Sequence, residues 1–348
     1  MDVHELPAYV EDRVLEIRVT GAPERLSGGN LNHVWRVPAV PASVIVKQAP
    51  PHIATTPDVP LDPSRCAIET KCLRAFDAGG ALHDLSSDAL RPPRLLAADA
   101  ERAVLVMEDI GPLPSLDAWL RTADAGALAK RAPTIGRTLG RFVGRLHQCT
   151  LHDEAVARRF DNTAMQETRH AVQYRAIGDV LASCGVPDAD ALGEKAMTVG
   201  ERFLQPGRCL TMGDLWPPSI LVGANGLRLI DWELAHFGQP EQDVAHLAAH
   251  LWMLAHRAPT PAVKRAVPRL YEAFTASYQT ALGTASDALQ TETMHHRAAV
   301  HFGAEILVRA VGNFQDGYVY AGLSHDHAAI REAVNVAARA IREEQGPV

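Results

Sequence analysis

The segment Leu210-Thr211-Met212-Gly213-Asp214-Leu215-Trp216-Pro217-Pro218-Ser219, read with Leu227-Arg228-Leu229-Ile230-Asp231-Trp232-Glu233, constrains this chain more than any other. It sets a lone carboxylate, Asp214, on a tight loop and a hydroxyl, Ser219, five positions later (219 − 214 = 5). The turn Gly223-Ala224-Asn225-Gly226 then predicts a hairpin. A second carboxylate, Asp231, ends an apolar strand 17 residues after the first (231 − 214 = 17), and Glu233 follows two residues on. Ordered oxygen ligands of this kind suit a hard dication better than zinc. The bland reading of Asp214 and Asp231, hairpin-end capping, requires both spacings to be coincidences.

The 348 residues are 47% hydrophobic and 22% charged, which fits about two globular domains or lobes. The net charge of -7, with no long basic run, excludes nucleic acid as a main partner, since a phosphate backbone needs clustered Lys and Arg. Five cysteines without a C-x-x-C pair read as reduced thiols of a cytoplasmic protein. The acidic N-terminus lacks the apolar core of a secretory signal, and no apolar run is long enough to span a bilayer, so no membrane partner is expected.

Residues 14–47 read as β-hairpins: Val14–Val19 and Val34–Val37 alternate, and Ser43–Lys47 is a β-branched run. Residues 48–63 read as a loop. Asp62-Pro63 opens a helix, with Asp as N-cap and Pro at the first helical position, and Glu69, Leu73 and Phe76 share one face of it. Arg94–Ala98 and Ala103–Met107 are two more strands, and Gly111-Pro112-Leu113-Pro114 breaks the pattern. From Ser115 the chain is mainly helical. The expected class is α+β: a small β-rich lobe over residues 1–111 that ends in a linker, and a larger helical lobe over 112–348.

Phosphoryl transfer asks a protein to hold a triphosphate, neutralise its charge and aim an acceptor hydroxyl. Each task has a candidate. Gly28, Gly29 and Asn30 lie between strands, where backbone N–H groups can approach phosphate, although Gly-Gly-Asn is equally an ordinary turn. Lys47 ends an apolar strand and needs an anion, and Glu69 on the next helix supplies one; a snorkelling Lys and a solvated Glu are the alternative. The run Val104–Gly111 carries Glu108 and Ile110, whose main-chain groups suit adenine. Asp214 is placed to orient a hydroxyl and take its proton, with Asp231, Glu233 and Ser219 as Mg²⁺ ligands. His246 and His250 have i, i+4 spacing but no H-E-x-x-H glutamate, and read as core histidines. Asp243 reads as a hydrogen-bonding brace for the Asp214 loop, and Trp216 as a packing residue.

These residues resemble the aminoglycoside phosphotransferase and choline kinase-like superfamily, with its H-G-D-x-x-x-x-N loop and later I-D-W-E; here they are Met212-Gly213-Asp214 and Ile230-Asp231-Trp232-Glu233. Within that group the chain is similar to the 5-methylthioribose kinases. Gly29-Asn30-Leu31-Asn32 with Val34-Trp35-Arg36-Val37 resembles that family's G-N-L-N-x-V-F-x-V loop. Ile45-Val46-Lys47-Gln48-Ala49 with Pro51-His52-Ile53, the helix with Arg65 and Glu69, Ser219, and Gly303–Gly312 continue the likeness. The departures fall on the acceptor side: the family's paired arginines are Val308 and Arg309, its D-P-E is Asp231-Trp232-Glu233, and Trp216-Pro217-Pro218 changes the loop. The fungal 4-hydroxytryptamine kinases resemble the chain through L-S-G-G, D-L-W and D-W-E elements.

The resemblance implies a bilobal protein-kinase-like fold that uses ATP and Mg²⁺ to phosphorylate a small-molecule hydroxyl. It places Asn32 among the ATP-binding residues and Arg309 at the acceptor, and it implies a homodimer. Two rivals stay open: aminoglycoside phosphorylation, and a pseudokinase, which the replacements at Met212 and Ser219 favour.

Overall fold

The computed structural model describes residues 1–26, 29–316 and 318–346, and Gly28 lies outside the described residues. The chain forms two compact units. The first comprises Met1–Leu113 and Arg228–Ala235; the second comprises Pro114–Leu227 and His236–Val348. Residues 228–235, which a linear division assigns to the helical lobe, therefore pack with the first unit and bring Asp231 and Glu233 into it.

The first unit is built on a five-stranded antiparallel sheet: β1 (Glu24–Arg25), β2 (His33–Val37), β3 (Val44–Gln48), β4 (Leu95–Asp99) and β5 (Val104–Glu108), in the order β1-β2-β3-β5-β4. Side chains on a strand alternate between faces. Val44 and Val46 of β3 join Val104, Val106, Trp35 and Val37 in one buried cluster, which Leu6, Tyr9 and Val10 of helix α1 (Leu6–Arg13) complete. Lys47 is one residue out of phase with Val46, so it points to the other face, beside its ladder partners Val34 and Leu105. Helix α2 (Arg65–Phe76) belongs to this unit and carries Glu69.

Three local readings are corrected. The strand expected over Val14–Val19 shrinks to Arg18–Val19, because α1 takes the sheet face and the chain turns at an exposed Leu15. The expected loop at 48–63 contains a short hairpin, His52–Ile53 paired with Thr56–Pro60. The helix expected from Asp62-Pro63 starts at Arg65: Asp62 accepts from Ser64 N–H at 2.8 Å, and a tight turn precedes the helix proper.

The second unit is helical. Its long elements are α3 (Ala125–Cys149), α4 (Thr163–Gln173), α5 (Ala189–Leu204), α6 (Pro240–His256), α7 (Pro261–Leu282), α8 (Glu292–Ala310) and α9 (Ala328–Glu343). Faces of α5, α6, α8 and α9 share one apolar core. Strand Cys209–Thr211 pairs antiparallel with His236–Gly238 and delivers the chain to Asp214. The predicted turn is present, with Gly223 N–H donating to the Gly226 carbonyl at 2.9 Å.

Helices α3 and α7 touch backbone to backbone along Gly136, Gly140 and Gly144, spaced four apart on one face. A Cβ on Gly136 would lie 2.0 Å from the Leu270 carbonyl oxygen, and one on Gly140 would lie 2.1 Å from that of Phe274. A Gly140→Ala variant gains about 1 kcal/mol in helix propensity but must force the helices apart. We expect a net loss of about 3 kcal/mol, read from the urea midpoint. An unchanged or raised midpoint would show that this contact yields.

Candidate active site

In the first unit, Lys47 gathers carboxylates from three parts of the chain. Its Nζ lies 2.7 Å from Glu69 Oε2, 2.8 Å from Asp231 Oδ1 and 3.4 Å from Glu233 Oε1. Burial alone would push the ammonium toward neutrality, but Asp231, Glu233 and Glu69 hold its pKa well above the usual lysine range. Arg65 is wholly buried. Its Nε donates to Glu233 Oε2 at 2.9 Å, and its remaining nitrogens donate to Asn32 Oδ1 and to the Leu31, Pro50, Leu61 and Asp62 carbonyls. Asn32 in turn donates to Glu233 Oε1 at 2.6 Å. Asn32 thus orients Glu233, and Arg65 locks both.

Two cations, Lys47 and Arg65, meet three carboxyl groups, those of Glu69, Asp231 and Glu233, so the cluster holds more carboxyls than cations. Burial pushes Glu69 up to about 7 against the pull of Lys47, with Glu233 and Asp231 adding to the push. Asp231 has the exposed carboxylate, 42% accessible, and its φ of 64° lies in the left-handed region that Asp tolerates better than most residues. An oxygen-only donor set with an exposed carboxylate fits Mg²⁺. The Glu233 oxygens, by contrast, already serve Arg65, Asn32 and Lys47.

Elsewhere in this unit, the Glu108 carboxylate is held by Arg91 and by Arg94, and its N–H donates to the Arg94 carbonyl at 3.0 Å. Asp109 pairs with Arg36 at 2.7 Å and accepts from Gly111 N–H at 2.9 Å. These contacts fix the segment that carries Ile110. Gly29 has open space where a Cβ would sit, and the Asn30 carbonyl accepts from Thr55 N–H at 3.2 Å.

In the second unit, Asp214 is positioned from behind. Asp243, in the first turn of α6, accepts from Met212 N–H at 2.8 Å and from Gly213 N–H at 2.9 Å. His147 of α3 lies 3.3 Å from Asp243 and contacts Tyr278 of α7 at 3.0 Å. Gly213 has φ +79°, the turn that releases Asp214 from the strand. Arg169 of α4 donates to the Gly213 carbonyl and, at 3.0 Å, to Asp214 Oδ1. The Ser219 hydroxyl is buried and lies 3.1 Å from the Asp214 carbonyl and 3.0 Å from that of Trp216, so it braces the loop backbone. Burial raises the Asp214 pKa, yet His246, Arg169 and Arg309 outweigh it and hold the carboxyl below the usual range.

Arg309 donates through Nε to Glu305 at 2.8 Å, and its guanidinium lies 4.6 Å from the centre of the Trp216 ring, with Phe314 and Tyr318 also in reach. Glu305 also accepts from Gln173 at 2.6 Å and contacts His250 at 2.9 Å. The ligand atoms of His246, His250 and Glu305 come within 4.8 Å of one another. Glu305, the one carboxylate of the three, is nevertheless spent on Arg309, Gln173 and His250, so its charge is already matched by Arg309. Arg169, His147 and Gln173 were not predicted from the sequence; none sits in a motif, and nothing local marks them.

The fold is that of the kinase-like phosphotransferases. A choline/ethanolamine kinase family protein from Mesorhizobium loti matches with a TM-score of 0.54 at 14% identity, over 99% of this chain and 100% of that one. The chain belongs to the phosphotransferase enzyme family, whose profile matches residues 23–288. It is 28% identical to 4-hydroxytryptamine kinase of Psilocybe cyanescens over 67% of this chain and 68% of that one. It is 25% identical to methylthioribose kinase of Exiguobacterium sibiricum over 71% and 67%. It is a small-molecule kinase that uses ATP. Among the described residues, no helix is long and apolar enough to cross a membrane.

Burial pushes His250 down to about 3 and His301 well below the usual range, so both are neutral in the folded chain. The unfolded chain binds their protons from about pH 6.5 downward. Their stabilising contribution is therefore complete above that pH and is lost as pH falls toward the folded values, at about 1.4 kcal/mol per pH unit for each histidine. Urea midpoints should fall from pH 7 to pH 5, and less steeply in His301→Leu. An equal slope in the two proteins would refute this assignment.

Proposed function

We propose that this kinase transfers the γ-phosphoryl group of MgATP to a hydroxyl of a small molecule, with Asp214 as the base. The observation that carries this reading is the pairing pattern of Asp214. Arg169 and His246 both approach Oδ1, at 3.0 and 3.1 Å, and among the described residues none donates to Oδ2. A carboxylate held by one oxygen presents the other in a fixed direction, where it can orient an acceptor hydroxyl and take its proton.

Asp231 is the proposed Mg²⁺ ligand, and Glu233 sets the charge behind it. Bound Mg²⁺ would neutralise phosphate charge as it shifts toward the leaving group. Lys47 is already poised as a cation and would exchange part of its contact with Asp231 for phosphate oxygens, while Glu69 keeps it in place. Gly28, Gly29 and Asn30 are assigned to the phosphates, and the main chain at Glu108 and Ile110 to adenine.

For the acceptor, we assign Arg309 and Trp216 as binding residues. A polycationic aminoglycoside needs an acidic surround, whereas Asp214 and Glu305 are matched here by Arg169 and Arg309. This disfavours that rival. The methylthioribose-like reading suits a neutral sugar. A second reading, a hydroxylated aromatic compound, is favoured by the aromatic wall of Trp216, Phe314 and Tyr318.

Asp214→Asn should lower turnover about 10³-fold with MgATP affinity little changed. Wild-type turnover in that variant would remove the role. Asp231→Asn keeps both the shape and the tolerance for positive φ, and should abolish Mg²⁺-dependent nucleotide binding as measured by calorimetry. Unaltered MgATP affinity would contradict the metal assignment. ADP release in a screen of methylthioribose, hydroxy-aromatic amines, aminoglycosides and amino alcohols ranks the acceptors, and no ADP release above the acceptor-free rate with any of them would favour the pseudokinase.

A further inference from the structure

His246 of α6 is 1% exposed and stands between two carboxylates. Its Nε2 is 3.1 Å from Asp214 Oδ1, and its Nδ1 is 3.7 Å from Glu305 Oε2. The His301 ring stacks on it at 5.6 Å, and the His250 ring lies 4.8 Å away. The charged groups facing it are Asp214, with Arg169 beyond, and Glu305, with Arg309 beyond. Neither ring nitrogen of His246 has an aligned hydrogen-bond partner. The ring is set between two carboxylates and beside two other imidazoles, where an apolar side chain would leave Asp214 and Glu305 with one polar neighbour fewer. The polar ring therefore calls for a reason other than packing.

We propose that His246 is a positioning residue for Asp214: its Nε2–H fixes Oδ1 together with Arg169, and Glu305 holds the ring from behind. Glu305 can act as a rigid anchor because Gln173, His250 and Arg309 fix its own oxygens from three directions. The ring then turns by a small rotation into line with Oδ1 when an acceptor engages Oδ2. Catalytic hydrogen bonds are commonly loose before the acceptor binds and tighten with it. His246 touches no reacting atom; it sets the direction of the one carboxylate that does. The arrangement ties α6 and α8 to the loop, so the orientation of the base depends on side chains nearly a hundred residues downstream of it.

The inference rests on the phosphoryl-transfer reading, and the test separates the two. The probe is MgATP with water as acceptor, followed by ADP release, for wild type, His246→Gln, His246→Leu and Asp214→Asn. Gln retains an N–H donor near the Nε2 position; Leu retains only bulk. His246→Leu should lose about 100-fold in kcat, the scale of a small misplacement of a reacting group. Its KM for MgATP should stay within about twofold of wild type, and His246→Gln should recover most of the loss. A purely structural role predicts the reverse, with Leu tolerated at least as well as Gln, and that result overturns the proposal. Loss in Asp214→Asn with none in His246→Leu sinks the positioning role alone; an unaffected Asp214→Asn sinks the transfer reading and the positioning role with it. Should His246→Leu fail to fold, ¹⁵N-histidine NMR of the full chain decides. The His246 ring resonances, assigned through His246→Gln, should shift in Asp214→Asn, and unshifted resonances overturn the contact.

Discussion

The buried Lys47 ammonium is the interaction on which the first unit depends. Taking a charge out of water costs several kcal/mol unless opposite charge and hydrogen bonds meet it. The sheet supplies the position, by placing Lys47 on the face opposite the Val44 and Val46 side chains, and three carboxylates supply the compensation. Those carboxylates arrive from α2 and from residues 228–235, so the pairing closes the tertiary structure of the unit as well as its chemistry. Arg65 performs the same service for Glu233 and the loop carbonyls around it. Asp231 is the most exposed member of the cluster, with its carboxylate 42% accessible.

A parallel logic holds the second unit, but through backbone rather than charge. Helices α3 and α7 come close enough only because glycine recurs every fourth residue on the contact face. That contact seats His147 and Tyr278 side by side, and His147 in turn meets Asp243. Asp243 takes up two consecutive loop N–H groups, which sets the direction in which Asp214 leaves the strand. Rigid elements thus fix a loop that has no regular structure of its own.

Much of this was legible in the sequence because it is written in local patterns. The β3 alternation places Lys47 opposite the core, the 69/73/76 face brings Glu69 inward, and Asp243 was read as a brace for the loop, as it proves to be. The misreadings are of three kinds. Helix α1 has only three buried residues on eight, too weak a period to see against the apparent alternation that follows it. The tight turn at 62–64 delays α2 by two residues, a matter of which N–H the Asp62 carboxylate reaches. Arg169, His147 and Gln173 act only through partners distant in sequence, and no spacing on their own helices predicts them. The close contact along Gly136, Gly140 and Gly144 depends on the partner helix α7, which no local pattern identifies.

The two replacements in the Asp214 loop can be weighed on the same terms. A histidine two residues before the aspartate and an asparagine five after it are what the wider superfamily's pattern leads one to expect, and their loss is the main argument for a silent enzyme. Met212 is 1% exposed and fills buried space, while the loop is held at its backbone N–H by Asp243. Ser219 donates its hydroxyl toward the Asp214 and Trp216 carbonyls and closes the loop on itself. What the loop gives up at position 219 is a ready oxygen for a metal. Within the first unit, burial pushes Glu69 up to about 7 against the pull of Lys47. Both side chains therefore have a structural part in the loop they occupy.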